Sequence, residues 1–291
     1  MPICKDRVVI ITGAGGGLGR AYALALAAEG AKVLVNDINR EAAAGVVAQI
    51  RDQGGEAIAD SHDITDYAQA GEIVRLALER FGALHVLVNN AGICRDRMFA
   101  SLGEADWDAV MAVHLKGHFC IASHAVKHWR ELAKAGQALS ARLINTSSGA
   151  GLQGSIGQSN YAAAKGGIAA LTLVQAAELE RYGITANALA PAARTGMTEQ
   201  VFAETMKKPE AGFDYFAPEN VAPLVTWLAS EASQQVNGRL FEVEGGKLSI
   251  ADGWRRGPEF DKGARFEPAE LGGVIERLLA EARPAQKVYG S

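Results

Sequence analysis

The chain has 291 residues, 48% hydrophobic and 21% charged, a length that supports a packed core and a composition ordinary for a globular protein. Its formal charge of −4 gives no electrostatic case for nucleic acid or an anionic membrane surface, and no apolar run approaches the roughly 20 residues of a membrane span. Cys4, Cys94 and Cys120 are odd in number and far apart, so they suggest neither a disulfide frame nor a metal site, and a reducing compartment, the cytoplasm, is expected.

The start, MPICKDRVVIITGAG, shows no charged leader with a cleavage site, and the end, KVYGS, is no organelle address. In chain order, strands are predicted at 7–12, 32–37, 56–60, 84–90, 142–148, 184–190 and 239–244. Helical patterns fall between them, near 18–29, 40–53, 66–81, 105–135, 159–182 and 218–231. The strands read as nearly continuous apolar runs, which suits a parallel sheet covered on both faces. The alternation predicts an α/β protein: a single-domain Rossmann fold over 1–245, doubly wound on a parallel sheet of about seven strands. After residue 245 the chain turns rich in Gly and charge, then carries a short amphipathic stretch at 269–282. Residues 246–291 are expected to be a C-terminal extension packing on the domain or on a partner subunit.

The first strand runs into a turn with glycines at 13, 17 and 19, a GxxxGxG spacing, immediately before a helix. Glycines let the backbone approach a pyrophosphate, and the helix start offers free N–H groups and the positive end of its dipole. Asp37 ends the second strand, where a carboxylate accepts from a ribose diol and repels a 2′-phosphate. Residue 16 is Gly, so no basic side chain there awaits that phosphate, and NAD is expected over NADP, with Arg40 nearby as the contrary signal. Asp37 is also a candidate N-cap for the next helix, and Asp63 is either an adenine contact or a cap. Farther on, QSNYAAAKGG puts Tyr161 and Lys165 four residues apart on one helical face. A phenol with an ordinary pKa near 10 is a poor base at neutral pH, and a neighbouring ammonium favours its phenolate. Ser148 precedes Tyr161 by thirteen residues, with Ser147 as the adjacent alternative.

With TGAGGGLG, the NNAG phrase at 89–92, and Ser148, Tyr161 and Lys165 in order, residues 6 to 245 resemble the short-chain dehydrogenase/reductase family. That resemblance implies a Ser148-Tyr161-Lys165 active site in which Ser148 holds the substrate oxygen, Tyr161 transfers its proton and Lys165 also meets the nicotinamide ribose. It implies cofactor contacts from Gly13, Gly17, Leu18, Gly19, Asp37 and Asp63, and from the Asn89, Ala91 and Gly92 turn, which also braces the sheet. A threonine after the sixth strand, Thr198 in preference to Thr195, would meet the carboxamide. Homodimers or homotetramers paired through the long helices near 105–135 and 159–182 are implied as well.

One position departs from the family pattern. Family members usually carry Asn in a VNLxG phrase, thought to hold a water linked to the lysine, whereas AVHLKGHF has His114 there. His114 either does the same through a ring nitrogen or fills a helix–helix contact. That phrase, with GQSNYAAAKGGIAAL, ITANALAPAARTGMTE and NGRLFEVEGG, resembles one branch, the (3R)-hydroxyacyl-CoA dehydrogenase unit of peroxisomal multifunctional enzyme type 2. The branch implies an acyl-CoA substrate, with a bulky or steroid acyl group left open, and here a unit without the fused hydratase. Arg95, Arg97, Arg255 and Arg256 are candidate CoA phosphate contacts. The rival readings are a 3-oxoacyl-thioester reductase of fatty-acid synthesis and a non-catalytic NAD-binding scaffold.

Overall fold

The structure, a computed structural model, describes residues 2–196, 206–284 and 287–290. Eight strands form one sheet in the order β3-β2-β1-β4-β5-β6-β7-β8. They are β1 (Val8–Thr12), β2 (Lys32–Asn36), β3 (Glu56–Asp60), β4 (Val86–Asn89), β5 (Ala141–Thr146), β6 (Ile184–Ala192), β7 (Leu240–Glu244) and β8 (Lys247–Ile250). The first seven run parallel, and β8 returns antiparallel to β7.

The helices are α1 (Gly17–Ala28), α2 (Arg40–Asp52), α3 (Tyr67–Phe81), α4 (Glu104–Met111), α5 (Gly117–Lys134), α6 (Gly149–Gln153), α7 (Ser159–Leu179), α8 (Ala222–Ala229) and α9 (Leu271–Glu281). Alternation along β1 divides them into two layers. Val9 and Ile11 pack with Tyr22 and Leu26 of α1, Ile50 of α2 and Val225 of α8. Val8 and Ile10 face the other way, onto Ile73 of α3, Trp129 of α5 and Leu179 of α7. Every residue of β1 is buried, which is why the strand reads as an unbroken apolar run. Between β1 and β4 the strand order reverses, and a doubly wound sheet opens its cleft at the carboxyl ends of such a pair.

Three elements differ from the sequence expectation. The helix expected over 105–135 is interrupted at Ala112–Lys116 by a π-helical turn that carries His114. Short α6 follows β5, capped by the Ser148 hydroxyl, which accepts from Ala150 N at 3.2 Å. Finally, Gly245, at φ +51°, and Gly246 turn the chain back as β8, so the sheet continues past residue 245 and gains an eighth strand. The tail then runs through α9 to Tyr289, whose N–H donates to Gly154 O at 3.2 Å and whose carbonyl accepts from Ile156 N at 3.0 Å. Among the described residues no helix is long and apolar enough to cross a membrane.

Candidate active site

The glycine turn is shaped for a ligand that the backbone approaches closely. Gly13 lies at φ +61°, and a Cβ on it would come within 2.7 Å of Ala91 Cα. A Cβ on Gly19 would lie 2.2 Å from Gly13 O, whereas one on Gly16 would meet nothing within 4 Å. The loop is therefore packed against itself and the NAG turn on one side and open on the other. Helix α1 starts at Gly17 with no side-chain cap, which leaves its first N–H groups for an anion. Leu18 faces inward, against the core.

Asp37 latches this loop to the end of β2. Its Oδ2 accepts from Gly15 N and its Oδ1 from Asn39 N, both at 2.9 Å. The cap of α2 is instead Asn39, whose side chain accepts from Ala42 N at 3.1 Å, so Asp37 is not a helix cap. Asp63 is not one either: it accepts from Thr65 N at 2.8 Å, and α3 is capped by Asp66. A glycine cradle, an uncapped helix start and a carboxylate at the end of β2 together fit a dinucleotide.

The NNAG phrase divides its work in a way its spelling does not show. Asn89 is fully buried and donates to Asn145 Oδ1, its register partner on β5, at 3.0 Å. Its side chain thus braces the sheet and does not line the cleft. Asn90, the first residue of the NAG turn, donates from its amide to the carbonyls of Thr12 at 3.0 Å and Gly13 at 3.1 Å. Thr12 Oγ1 accepts from Asn90 N and Ala91 N, which stitches the NAG turn to the loop. Thr198 lies outside the described residues, and the methyl of Thr195 would be 3.3 Å from a Cβ on Gly17.

At the other end of the cleft, α7 brings Tyr161 and Lys165 together, with the ammonium 5.6 Å from the phenol ring centroid. Lys165 is buried and donates to Thr146 O at 2.6 Å. Ser148, just past the end of β5, faces the Tyr161 phenol and pulls its pKa down. Ser147 points inward, its hydroxyl donating to Lys165 O at 2.9 Å, so of the two serines Ser148 is the one at the reacting group. Helix α6 meets α7 backbone to backbone: a Cβ on Gly151 would lie 2.6 Å from the Lys165 carbonyl carbon.

His114 sits behind this group. Its Nε2 lies 2.7 Å from Ile93 O and 3.0 Å from Ile93 N, with the proton's place set by the tautomer. Its ring stands edge-on to Tyr161 at a centroid distance of 5.2 Å. Burial, reinforced by the Lys165 charge, pushes the imidazole down to about 3, so it is neutral near pH 7. Burial also pushes Lys165 down to about 7 and Tyr161 well above the ordinary phenol range, against the pull of Ser148. Desolvation thus dominates the pair by itself, and forming the phenolate requires positive charge brought into the cleft.

The candidate phosphate-binding arginines are dispersed. Arg95 and Arg97 lie exposed after the NAG turn. Arg255 pairs with Asp252 at 2.6 Å and Arg256 with Glu259 at 3.2 Å, all on the exposed tail.

The profile described as short chain dehydrogenase matches residues 7–206. The hydroxyacyl-CoA dehydrogenase ChsB1 of Mycobacterium tuberculosis is 43% identical over 290 residues, covering 97% of this chain and 91% of that protein. The peroxisomal multifunctional enzyme type 2 of Mus musculus is 45% identical over 94% of this chain, which spans only 40% of that longer protein. Among solved structures, a short chain dehydrogenase from Mycobacterium avium superposes with a TM-score of 0.92 at 57% identity, covering 99% of this chain and all of that one.

Proposed function

The chain belongs to the short-chain dehydrogenase family, whose members use a nicotinamide cofactor, and on that premise we propose that it oxidises a (3R)-hydroxyacyl-CoA with NAD. The observation that carries the reading is the grouping of Ser148, Tyr161 and Lys165 at the cleft whose other end is the glycine cradle latched by Asp37. A nicotinamide bound at the glycine cradle would supply the hydride acceptor for the substrate carbon. Ser148 orients the substrate hydroxyl by a hydrogen bond, and Tyr161 takes its proton. Lys165 holds the phenolate by its charge and is itself anchored on the Thr146 carbonyl. Asp37 favours NAD, since its carboxylate suits a ribose diol and repels a 2′-phosphate. That carboxylate argues against the rival 3-oxoacyl-thioester reductase, which would draw on NADPH. A scaffold has no physical use for the intact reacting group. The hydroxyacyl-CoA dehydrogenase ChsB1 supports the thioester substrate.

A shallow apolar groove lined by Met111, Leu115, Phe119 and Leu171 runs between the α4–α5 face and α7. It supports pairing of these helices in a homodimer or homotetramer. Three unpaired thiols fit a cytoplasmic setting. The test is to mix the protein with a 3-hydroxyacyl-CoA series and either NAD or NADP, and to follow the reduced cofactor. Formation of NADH in preference to NADPH is expected. No reduced cofactor with any acyl chain, despite tight NAD binding, would leave the scaffold reading.

A further inference from the structure

Beyond the NAG turn, residues 95–97 are fastened to the start of α7 by bonds to the residues just before Tyr161. Asn160 is fully buried; its amide donates to Arg95 O at 3.0 Å and Asp106 O at 3.3 Å, and its oxygen accepts the Tyr161 N–H at 2.8 Å. Arg97 N donates to Gly157 O at 2.8 Å. Gln158 occupies the cap position of α7 but makes no capping bond, and its amide instead donates to Asp96 Oδ2 at 2.8 Å. The other carboxylate oxygen, Asp96 Oδ1, is buried and has no partner. A charge shared with so few donors acts strongly on its neighbours.

We propose that Asp96 is a positioning residue for the transfer step: through Gln158 it fixes the start of α7 that carries Tyr161, and its half-partnered buried carboxylate opposes negative charge on the phenol. The groups facing Tyr161 leave it that role. Lys165 comes from α7, neutral His114 from the π-turn, Ser148 from the end of β5, and Cys94 and Asp96 from the segment after β4. Burial is the main reason the Tyr161 pKa is raised, followed by Cys94, against which Ser148 pulls, and then Asp96. The Cys94 thiol is itself pushed up to about 11, chiefly by burial, so near neutral pH it carries little charge. Asp96 is then the anion that adds to burial in opposing the phenolate.

The kinetic readout rests on the proposed hydroxyacyl-CoA substrate, whereas the spectroscopic one needs only bound NAD. Asp96→Asn keeps an oxygen for Gln158 and removes the charge. The ultraviolet tyrosinate band of the NAD complex, with Tyr161→Phe as blank, should then titrate about one pH unit lower than in the wild type. The rising limb of kcat/KM for 3-hydroxyacyl-CoA oxidation should move by the same amount, with NAD affinity within about twofold. Gln158→Met keeps the charge and cuts the link, so kcat should fall about tenfold with no downward move of that limb. A tyrosinate midpoint unmoved in Asp96→Asn would overturn the proposal. A midpoint that moves in a protein inert towards every 3-hydroxyacyl-CoA would support the proposal and remove the substrate reading instead.

Discussion

The His114 ring stands edge-on to that of Tyr161, at 87° and a centroid distance of 5.2 Å. It also presses on the NAG turn, for a Cβ on Gly92 would lie 2.4 Å from His114 Cε1. One imidazole thus spaces the phenol from the turn beside the glycine loop, and the π-turn at Ala112–Lys116 is what delivers it there. Gly92→Ala forces a ring and a backbone apart. A loss of about 1–3 kcal/mol of stability by denaturant melting is expected, with a larger drop in kcat than in NAD affinity.

His114→Ala removes that spacer and the bond to Ile93 without removing a charge, since the imidazole is neutral near pH 7. The expected outcome is a kcat about tenfold lower and a pH profile whose limbs stay where they are. A limb that disappeared in the variant would mean that His114 itself titrates during turnover.

Tyr161→Phe deletes the proton acceptor and leaves the ring against His114. Turnover should fall by at least about 10²-fold while NAD affinity, read by fluorescence titration, stays within about twofold.

Lys165 connects function to stability through pH. Burial lowers its folded-state value from 10.5 to about 7, so between those values the unfolded chain binds the extra proton. Its destabilisation of the fold is therefore full below about pH 7 and fades as pH rises towards 10.5. Lys165→Met should abolish turnover and raise Tm by a few degrees at pH 7, with the gain shrinking at higher pH. A variant that melts lower than the wild type at pH 7 would contradict the direction of the shift.

Asp37→Ala frees the Gly15 N–H and removes the negative charge at the end of β2. NAD should bind about tenfold more weakly and NADP comparatively better. A cofactor preference that did not change would reduce Asp37 to a loop latch.

Much of this arrangement was legible in the sequence, because it depends on local rules. VVIIT reads as a doubly covered strand since each of its side chains meets a helix layer. Tyr161 and Lys165 share a face because helix geometry requires it. What was hidden depends on contacts between distant segments. The stretch at 105–135 reads as one helix because nothing in its own spelling marks the π-turn that sets His114 against Gly92. Asn89 and Asn90 are spelled alike, yet strand alternation sends one into the sheet and the other to the glycine loop. Asp37 resembled a cap until Asn39 took that bond. The eighth strand was missed although Gly245-Gly246, between two runs of alternating residues, is a hairpin signal.

The central claim is hydride transfer from the 3-carbon of an acyl thioester at Tyr161. The most direct test supplies a (3R)-hydroxyacyl-CoA deuterated at that carbon together with NAD, and weighs the reduced cofactor by mass spectrometry. One deuterium on the nicotinamide ring is expected in the wild type and none in Tyr161→Phe over the same time. Reduced cofactor without the label, or label retained in the acyl product, would contradict the claim.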